Sequence, residues 1–330
     1  MKKGILFIII IFSAIGVTGQ DVHFSQLSST SLFNSVASAG VKKTKLNSFA
    51  FYRSQWASIG NAYRTYGLTA DSRFKTGNNG VGLGLLIYKD QAGALNFNQL
   101  KANLSIAYHL RVSQFSQFSG GVQLGITQHS IDESKAEWRT QFNGKKFDPT
   151  LPSQEQPLFE SFTNFDAAAG FLWSYSNKIP GRFSESPFKV LNIGFSVYHI
   201  TQTNIVYNAN EAENMRYVAF GNTAFSLKKS TFDIEPSFLY QLKGKEYELV
   251  VGTMFKIILE EESYHTGYFK QFDLSIGGYY RYPNDAIIPA INMNYDSFGF
   301  GVSYDVNISE LNQASNYQGG LEFFIKHTLR

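Results

Sequence analysis

Histidine is the residue type most often used for metal binding and proton transfer, and the chain carries six. They are His23, His109, His129, His199, His265 and His327. No two lie three to five residues apart, no carboxylate pair completes a metal-ligand spacing with them, and the chain has no cysteine. We therefore predict no metal site and no cofactor, and we interpret Glu260-Glu261-Glu262 as a solvated acidic turn.

Nucleophilic catalysis would need a serine or an aspartate beside one of these histidines. His109, His129 and His199 lie near the ends of apparent strands and could meet serine or aspartate partners, but spacing cannot place such partners beside them and the sequence has no GxSxG-type turn. We therefore predict that the protein is not an enzyme. An Asp/His or Ser/His pair converging at the outer rim of the structure would favour catalysis instead.

The first 19 residues have the layout of a secretory signal peptide. Lys2 and Lys3 form a basic start, residues 4–17 are almost wholly apolar, and Val17-Thr18-Gly19 offers small residues for cleavage. This apolar run is shorter than the ~20 residues that a spanning helix needs, so an uncleaved anchor is the weaker alternative. The mature chain is predicted to begin at Gln20, after cleavage near Gly19.

The composition of the chain indicates a membrane β-barrel. Aromatic residues make up 16% and charged residues only 17%, below the ~25% of an ordinary soluble domain. No later apolar stretch is long enough for a spanning helix, and only helices and closed barrels satisfy their backbone in lipid. The net charge of +3 is too small to indicate a nucleic-acid partner.

From about residue 45, segments of roughly ten residues alternate apolar and polar side chains, the period of a strand with two different faces. In the clearest of them, Phe232, Ile234 and Phe238 alternate with Asp233 and Glu235. We predict an all-β fold, a transmembrane antiparallel β-barrel of about 14 strands. The segments are 45–54, 63–74, 79–90, 97–111, 115–130, 162–175, 188–201, 216–227, 230–241, 246–258, 269–280, 286–295, 297–306 and 317–327.

An even strand count puts both termini in the periplasm, so the longest irregular stretch, 131–161, lies outside the cell. The same count makes the periplasmic connections 177–187 and 260–268 longer than usual, through either a miscount or a periplasmic contact. The predicted organisation is a signal peptide at 1–19, an N-terminal periplasmic or plug segment at 20–44 and an outer-membrane barrel at 45–330.

The inward face of the predicted barrel is small and polar, and its charges either select solutes or pair with each other. These charged residues are Arg111, Asp233, Glu235, Glu248 and Lys256. Two strand segments contain a pair of glycines, Gly82-x-Gly84 and Gly299-x-Gly301. Neither pair forms a dinucleotide-binding fingerprint, and both indicate bulges, bends or room in the lumen. With about fourteen strands, a filled lumen and an open channel are equally plausible, so a passive channel or small-solute transporter is the alternative function.

Three short blocks near the start of the mature chain carry a recognisable pattern. They are residues 20–26 (QDVHFSQ), 33–40 (FNSVASAG) and 52–60 (YRSQWASIG). In this order they resemble the QDPxFSQ opening, the LNPAxAG element and the YRNQWxSxG stretch of the PorP/SprF family of type IX secretion proteins. Val22 and Ser35 stand where the family usually has proline.

Five later blocks continue the resemblance in the same order. They are residues 82–93 (GxG…DxxG), 165–170 (FDxxxG), 194–199 (GxSxxH), 235–240 (PSFLY) and 304–311 (YDVxxSEL). The family-motif positions are Gln20, Asp21, Phe24, Ser25, Gln26, Asn34, Gly40, Arg53, Gln55, Trp56, Gly60, Pro236, Ser237, Tyr304 and Asp305. Eight blocks in order span nearly the whole mature chain, which makes the resemblance specific.

This resemblance implies an outer-membrane barrel that helps to secrete and surface-anchor large adhesins of the gliding-motility type, by binding the cargo's type IX C-terminal domain. A periplasmic peptidoglycan-binding lipoprotein and other type IX components are the further partners implied, beside outer-membrane lipid. The external stretches 133–159 and 203–215 would then face cargo. Their candidate anchors are Trp138, Phe142, Phe147, Phe159 and Tyr207, although a self-packed loop lid explains these aromatics equally well.

Overall fold

A computed structural model of the chain contains a single closed β-barrel. It describes residues 24–27, 31–42, 44–57, 60, 62–93, 95–132, 135–154, 161–177, 188–203, 212–226, 231–260, 270–283, 286–309 and 315–329. The strands are β1 Leu46–Gln55, β2 Tyr63–Thr76, β3 Asn79–Ala92, β4 Phe97–Arg111, β5 Ser116–Ser130, β6 Phe162–Ser176, β7 Phe188–Tyr198, β8 Arg216–Ser226, β9 Phe232–Lys243, β10 Glu246–Glu260, β11 Phe272–Tyr282, β12 Ala286–Tyr295, β13 Phe298–Asn307 and β14 Gln318–Leu329.

Each strand pairs antiparallel with its sequence neighbours, and β1 pairs with β14 from Leu46↔Leu329 to Gln55↔Gly320, which closes the barrel. The predicted architecture and strand count are therefore confirmed. Several strand boundaries differ from the predicted ones by one to three residues, two of them for evident local reasons. β7 ends at Tyr198 rather than 201 because His199 takes a left-handed backbone conformation (φ 59°), and β9 continues to Lys243 because Gly244 (φ 60°) closes a tight hairpin there.

The strands expose apolar side chains on the outside of the barrel and bury polar ones inside, the reverse of a soluble protein. On β4, Leu104, Ile106 and Tyr108 are 46–52% exposed on the outside, whereas Ala107 and His109 are completely buried inside. Apolar side chains exposed all round the wall, with polar side chains within, fit a barrel surrounded by lipid. Among the described residues, no helix is long and apolar enough to cross a membrane.

The strand order gives the barrel two distinct ends. The terminal end carries the start of β1, the end of β14 and short turns such as Gly77-Asn78 and Asp296-Ser297. The opposite end, called the distal end below, carries the long connections 131–161 and 199–215.

The chain before β1 runs through the interior of the barrel. Residues 24–27 and 31–42, called the lumen segment below, include helix α1 (Ser31–Asn34) and a 3-10 turn (Val36–Ser38). At the terminal end, the Lys45 N–H bonds to the Leu329 carbonyl oxygen, which extends the β1–β14 ladder. At the other end of the segment, Ser25 bonds to Asp305, two residues before β13 ends distally. The segment therefore spans most of the barrel's height.

Candidate functional site in the barrel lumen

The lumen segment is seated in the barrel by apolar packing. Phe24 and Phe33 pack with Phe51 of β1, with ring centroids 4.4–5.1 Å apart. Leu32 and Ala39 cluster with Ala107 of β4, and Leu27, Val36 and Ala37 belong to a cluster of inward side chains from β6 to β12. Because small and large apolar groups interdigitate with the wall, the segment behaves as part of the barrel's core.

Glycines in the wall make room for this packing. Gly82 and Gly84 on β3 face Ala39 and Leu32, and a side chain at Gly82 would overlap the Ala39 carbonyl oxygen. The interpretation of Gly82-x-Gly84 as room in the lumen is confirmed. Gly40 itself has φ 71°, and its N–H donates to Asp71 of β2 at 3.0 Å, so a residue with a side chain would be strained there.

His109 holds the same stretch of the segment through its ring. Its Nε2 donates to the Ala39 carbonyl oxygen at 2.7 Å, and its Nδ1 lies 2.7 Å from the Ser119 hydroxyl. Since a carbonyl oxygen only accepts, Nε2 carries the proton and Nδ1 accepts from the hydroxyl. The buried His109 is therefore a structural tether for the segment.

At the distal end, the segment joins a buried ionic network. The Ser25 hydroxyl donates to Asp305 Oδ1 at 2.7 Å and accepts from Arg281 at 2.9 Å, and the Ser25 N–H donates to Glu322 at 2.9 Å. Arg53 and Arg281 both bond to Asp305 Oδ2, at 3.0 and 2.9 Å. Charges this deeply buried persist only when they are paired and hydrogen-bonded, so the network fixes the position of Ser25.

We predict that a leucine at Gly121 displaces the lumen segment, whereas a leucine at Gly120 does not. A Cβ at Gly121 would lie 2.8 Å from Ala37 Cα, but a Cβ at Gly120 meets nothing within 4 Å. Overpacking of this kind typically costs about 1–3 kcal/mol. Because the chain has no cysteine, a Ser35→Cys reporter measures the displacement by its maleimide reactivity. Faster labelling in Gly121→Leu than in Gly120→Leu is expected, and equal labelling would contradict the tight seat.

A second charged cluster lies at the distal rim, and the sequence analysis missed it. His199 Nδ1 is 2.8 Å from Asp166 and 3.3 Å from Glu213, and Lys101 and Lys243 complete the cluster through these carboxylates, at 3.3 and 3.0 Å. Spacing in the sequence could not place these partners beside His199. A local signal was the FDxxxG and GxSxxH blocks, whose residues pair across the β6–β7 ladder, as Gly170 does with Ser196.

The contact between Asp166 and His199 is an Asp/His pair at the distal rim, the arrangement that would favour catalysis. The His199 ring is only 1% exposed, so a substrate cannot reach the ring in this conformation. Within the described residues, no group of three or more histidine, aspartate or glutamate side chains could hold a metal ion.

The connection between β5 and β6, which the sequence analysis expects outside the cell, forms a hairpin over residues 135–154, called the external hairpin below. Phe142 and Phe147 pair across a tip that contains Gly144 (φ 91°), and Asn143 caps the tip through its side chain. Phe142 is 55% exposed, whereas Trp138 and Phe147 are half-buried. Phe159 and Tyr207 lie outside the described residues.

Polar contacts within this hairpin hold its own turns. Gln141 donates through its side chain to the Leu151 carbonyl oxygen at 3.0 Å. Hydrogen bonds from the Thr150 hydroxyl and backbone N–H keep the pKa of the exposed Asp148 carboxyl below its usual range. The hairpin is thus a preformed surface with one protruding aromatic ring.

Four of the five charged residues that were predicted for the lumen are in ion pairs, either with each other or with further basic side chains. Lys256 lies 3.8 Å from Glu235, Arg281 lies 3.8 Å from Glu248, and Lys189 bonds to Asp233 at 2.8 Å. Arg111 is different, because it lies exposed at the terminal rim and bonds to the carbonyl oxygens of Ser113 and Gln114. It is therefore not a lumen charge.

A family model described as type IX secretion system membrane protein PorP/SprF matches residues 17–326. The chain belongs to this family. A comparison with the curated proteins found no match. The PorP/SprF chain is an outer-membrane β-barrel, as its sequence predicted.

Solved structures similar to this PorP/SprF chain include three bacterial proteins. BamA from Haemophilus ducreyi lacking POTRA domains 1–3 is 10% identical, with a TM-score of 0.45, over 87% of this chain and 70% of that one. A Pseudomonas aeruginosa FadL homologue is 8% identical, with a TM-score of 0.47, over 86% and 88%. CdiB from Acinetobacter baumannii is 10% identical, with a TM-score of 0.43, over 86% and 60%.

Several PorP/SprF motif positions, far apart in the sequence, meet in the lumen. Ser25 and Asp305 are bonded across 280 residues, and Arg53 joins the same carboxylate across 252. Other motif positions do not join this network: Gly60 lies outside the strands and Pro236 is on the outward face of β9. Gln20 and Asp21 lie outside the described residues.

Proposed function

We propose that this protein is a non-enzymatic accessory of the type IX secretion system, which supports secretion and cell-surface anchoring of large adhesins by binding their C-terminal domain. The proposal is supported by the match of residues 17–326 to the family model. It is also supported by the barrel lumen, which is filled by the protein's own N-terminal segment. A filled barrel with a structured external hairpin is suited to binding a partner rather than to conducting solutes.

The occupied lumen argues against a passive channel. The lumen segment belongs to all three buried apolar clusters of the barrel, and the cavity beside Phe24, Phe33 and Val218 measures about 10 Å³, room for roughly one water. A plug that is hydrogen-bonded to a buried ionic network would behave as an integral part of this barrel. We accordingly treat residues 20–44, after cleavage of the signal peptide at 1–19, as a plug rather than as a free periplasmic arm.

The catalytic alternative has one observation in its favour, the Asp166–His199 pair, and two against it. The ring is buried, and Glu213 and Asp166 both approach the same nitrogen, Nδ1. This arrangement positions the 199–215 connection, because Lys243 also bonds to Glu213. The pair therefore serves best as a clamp on an external loop.

We expect alanine at Trp138, Phe142 and Phe147 together to reduce surface-anchored adhesin about tenfold or more, since buried aromatic anchors dominate interface energies. Immunofluorescence of the adhesin on intact cells measures this, with Western blots confirming an equal amount of barrel. The matched control is Phe165→Ala with Phe171→Ala, which removes exposed aromatics from the lipid-facing wall. Unchanged surface adhesin in the triple variant would remove the hairpin from the proposal and leave the lid interpretation.

The terminal end of the barrel would face the periplasm and offer a contact for a peptidoglycan-binding lipoprotein. Its longer connections, 177–187 and 261–271, are the candidate contacts on that side, although most of their residues lie outside the described ranges. Deletion of residues 179–186 is expected to release the lipoprotein from the purified complex while surface adhesin still binds the barrel.

A further inference from the structure

The lipid-facing wall of the barrel carries an isolated pair of cations. On β2, the exposed Arg64 shares the outward face with Tyr66 and Leu68, while Thr65 and Thr69 point inward. On β3, the exposed Lys89 follows Leu85 and Ile87 on the outward face. Away from the terminal-end residues of the described strands, the other basic side chains point into the lumen or, as Lys189 does, bond to a lumen carboxylate.

Strand register places the two cations side by side. Arg64 pairs with Gln91, and Tyr66 pairs with Lys89. Arg64 and Lys89 are therefore diagonal neighbours across the β2–β3 ladder, a geometry in which backbone positions lie roughly 7–8 Å apart. Neither side chain makes an ion pair or hydrogen bond with a described residue. Two adjacent positive charges without a counter-ion create a local anion-attracting surface.

The depth of the pair is set by the rows around it. The outward row on the terminal side of the pair is apolar, Leu68 and Ile87. The row of Arg64 itself is polar, because Gln91 lies opposite Arg64 and donates to Asn98 at 2.9 Å. From Val81 to Lys89 the strand runs about 27 Å, which at a tilt of about 40° covers most of a barrel's ~25 Å apolar band. Lys89 therefore lies where the hydrocarbon ends and headgroups begin, on the distal side.

We propose that Arg64 and Lys89 form a binding site for a phosphate of the phosphorylated glycolipid in the outer leaflet of the outer membrane. The planar Arg64 guanidinium binds a phosphate in a bidentate manner, and the Lys89 ammonium adds a second point charge. Tyr66 lies opposite Lys89 and packs against Tyr52 in a tilted arrangement, with ring centroids 5.0 Å apart, which adds aromatic rings to the site at the membrane interface. The inference rests on the distal end being external, and it does not depend on the cargo role.

Position argues for a lipid rather than an acidic protein segment as the occupant. Both side chains project from the wall at headgroup depth, below the loops that rise around the rim, where the phosphates of the surrounding lipid are already concentrated. Snorkelling alone would explain one long cation at this depth. Two on one diagonal, with no outward carboxylate on β2 or β3, make a site of complementary charge.

The test uses the full mature barrel in detergent with diphosphorylated lipid A as the probe. Native mass spectrometry is expected to show at least about tenfold weaker lipid A retention when both residues are changed, Arg64→Gln with Lys89→Gln. The matched control is Arg139→Gln with Lys145→Gln, which removes two exposed cations from the external hairpin, and it should retain lipid A as the parent protein does. Lys89→Arg keeps the charge and should retain binding, which guards against a folding defect in the double variant.

Three further probes separate the sources of the anion. Dephosphorylated lipid A and inorganic phosphate should each bind at least about tenfold more weakly than lipid A, because the site needs both a phosphate and a membrane-anchored chain. Equal retention by the parent and the Arg64→Gln, Lys89→Gln variant would overturn the proposal. So would an acidic peptide that competes with lipid A for the two cations and binds more tightly.

Discussion

Removing residues 20–42 from the mature protein is expected to turn a silent barrel into a steady pore in a planar lipid bilayer. The described part of this stretch fills the lumen and contributes to each of the three buried apolar clusters. Without it, the inward faces of fourteen strands enclose an open space, lined by apolar side chains and by polar ones such as Asp71, Ser105 and Glu322. A barrel of this size approaches the width at which porins conduct.

The comparison requires a variant with the same wall and an intact plug. Deleting residues 143–146 from the tip of the external hairpin shortens the chain without touching the lumen, and this variant should stay silent. Heat-modifiable migration in gels would verify that both variants are folded barrels. Steady conductance in the full-length mature protein, at the level of the truncated one, would contradict the plug.

Replacing Asp305 with alanine is expected to lower the free energy of unfolding by about 3–5 kcal/mol, the usual cost of breaking a buried ion pair. The change leaves Arg53 and Arg281 facing each other in a site where Asp305 is 2% exposed, and it removes the acceptor of the Ser25 hydroxyl. Equilibrium unfolding in urea, followed by tryptophan fluorescence in detergent, measures the effect.

An exposed carboxylate provides the control for this substitution. Glu137→Ala in the external hairpin removes the same charge from an exposed side chain and is expected to change stability by about 0.5 kcal/mol or less. Asp305→Ala should also raise maleimide labelling of Ser35→Cys, since the lumen segment loses its distal anchor. A loss of stability without faster labelling would show that the network stabilises the wall alone.

Periodicity in the sequence was enough to find the wall of the barrel. The alternation along Leu104, Ser105, Ile106 and Ala107 is visible by eye, because lipid and lumen impose opposite demands on successive residues. Gly77 and Gly244, both with positive φ, close tight turns after β2 and β9. Fold and strand order were therefore predictable from local signals.

The contents of the lumen could not be placed in the same way. Residues 24–42 lack strand or helix periodicity, and their partners are fixed only when the barrel closes, as with Ser25 and Asp305. The Asp166–His199 contact likewise depends on the β6–β7 register and on the left-handed turn at His199. Long-range pairs of this kind leave no spacing signal in a single sequence.

The contacts in the lumen give a physical reason for the N-terminal family motif. Phe24, Ser25 and Gly40 are motif positions that contact the wall through ring packing, the ionic network and a close backbone approach. Arg53 and Asp305, from motifs at the start and end of the barrel, complete the same network. The densest motif is thus the one whose residues have the most constrained surroundings.

The most direct test of the proposed function is an affinity pull-down of the tagged protein from outer membranes solubilised in mild detergent, with partners identified by mass spectrometry. Recovery of a large adhesin carrying a type IX C-terminal domain is predicted, and the Trp138, Phe142 and Phe147 alanine variant should recover about tenfold less of it. Recovery of the barrel alone, at native abundance, would contradict the secretion and anchoring role and favour the channel.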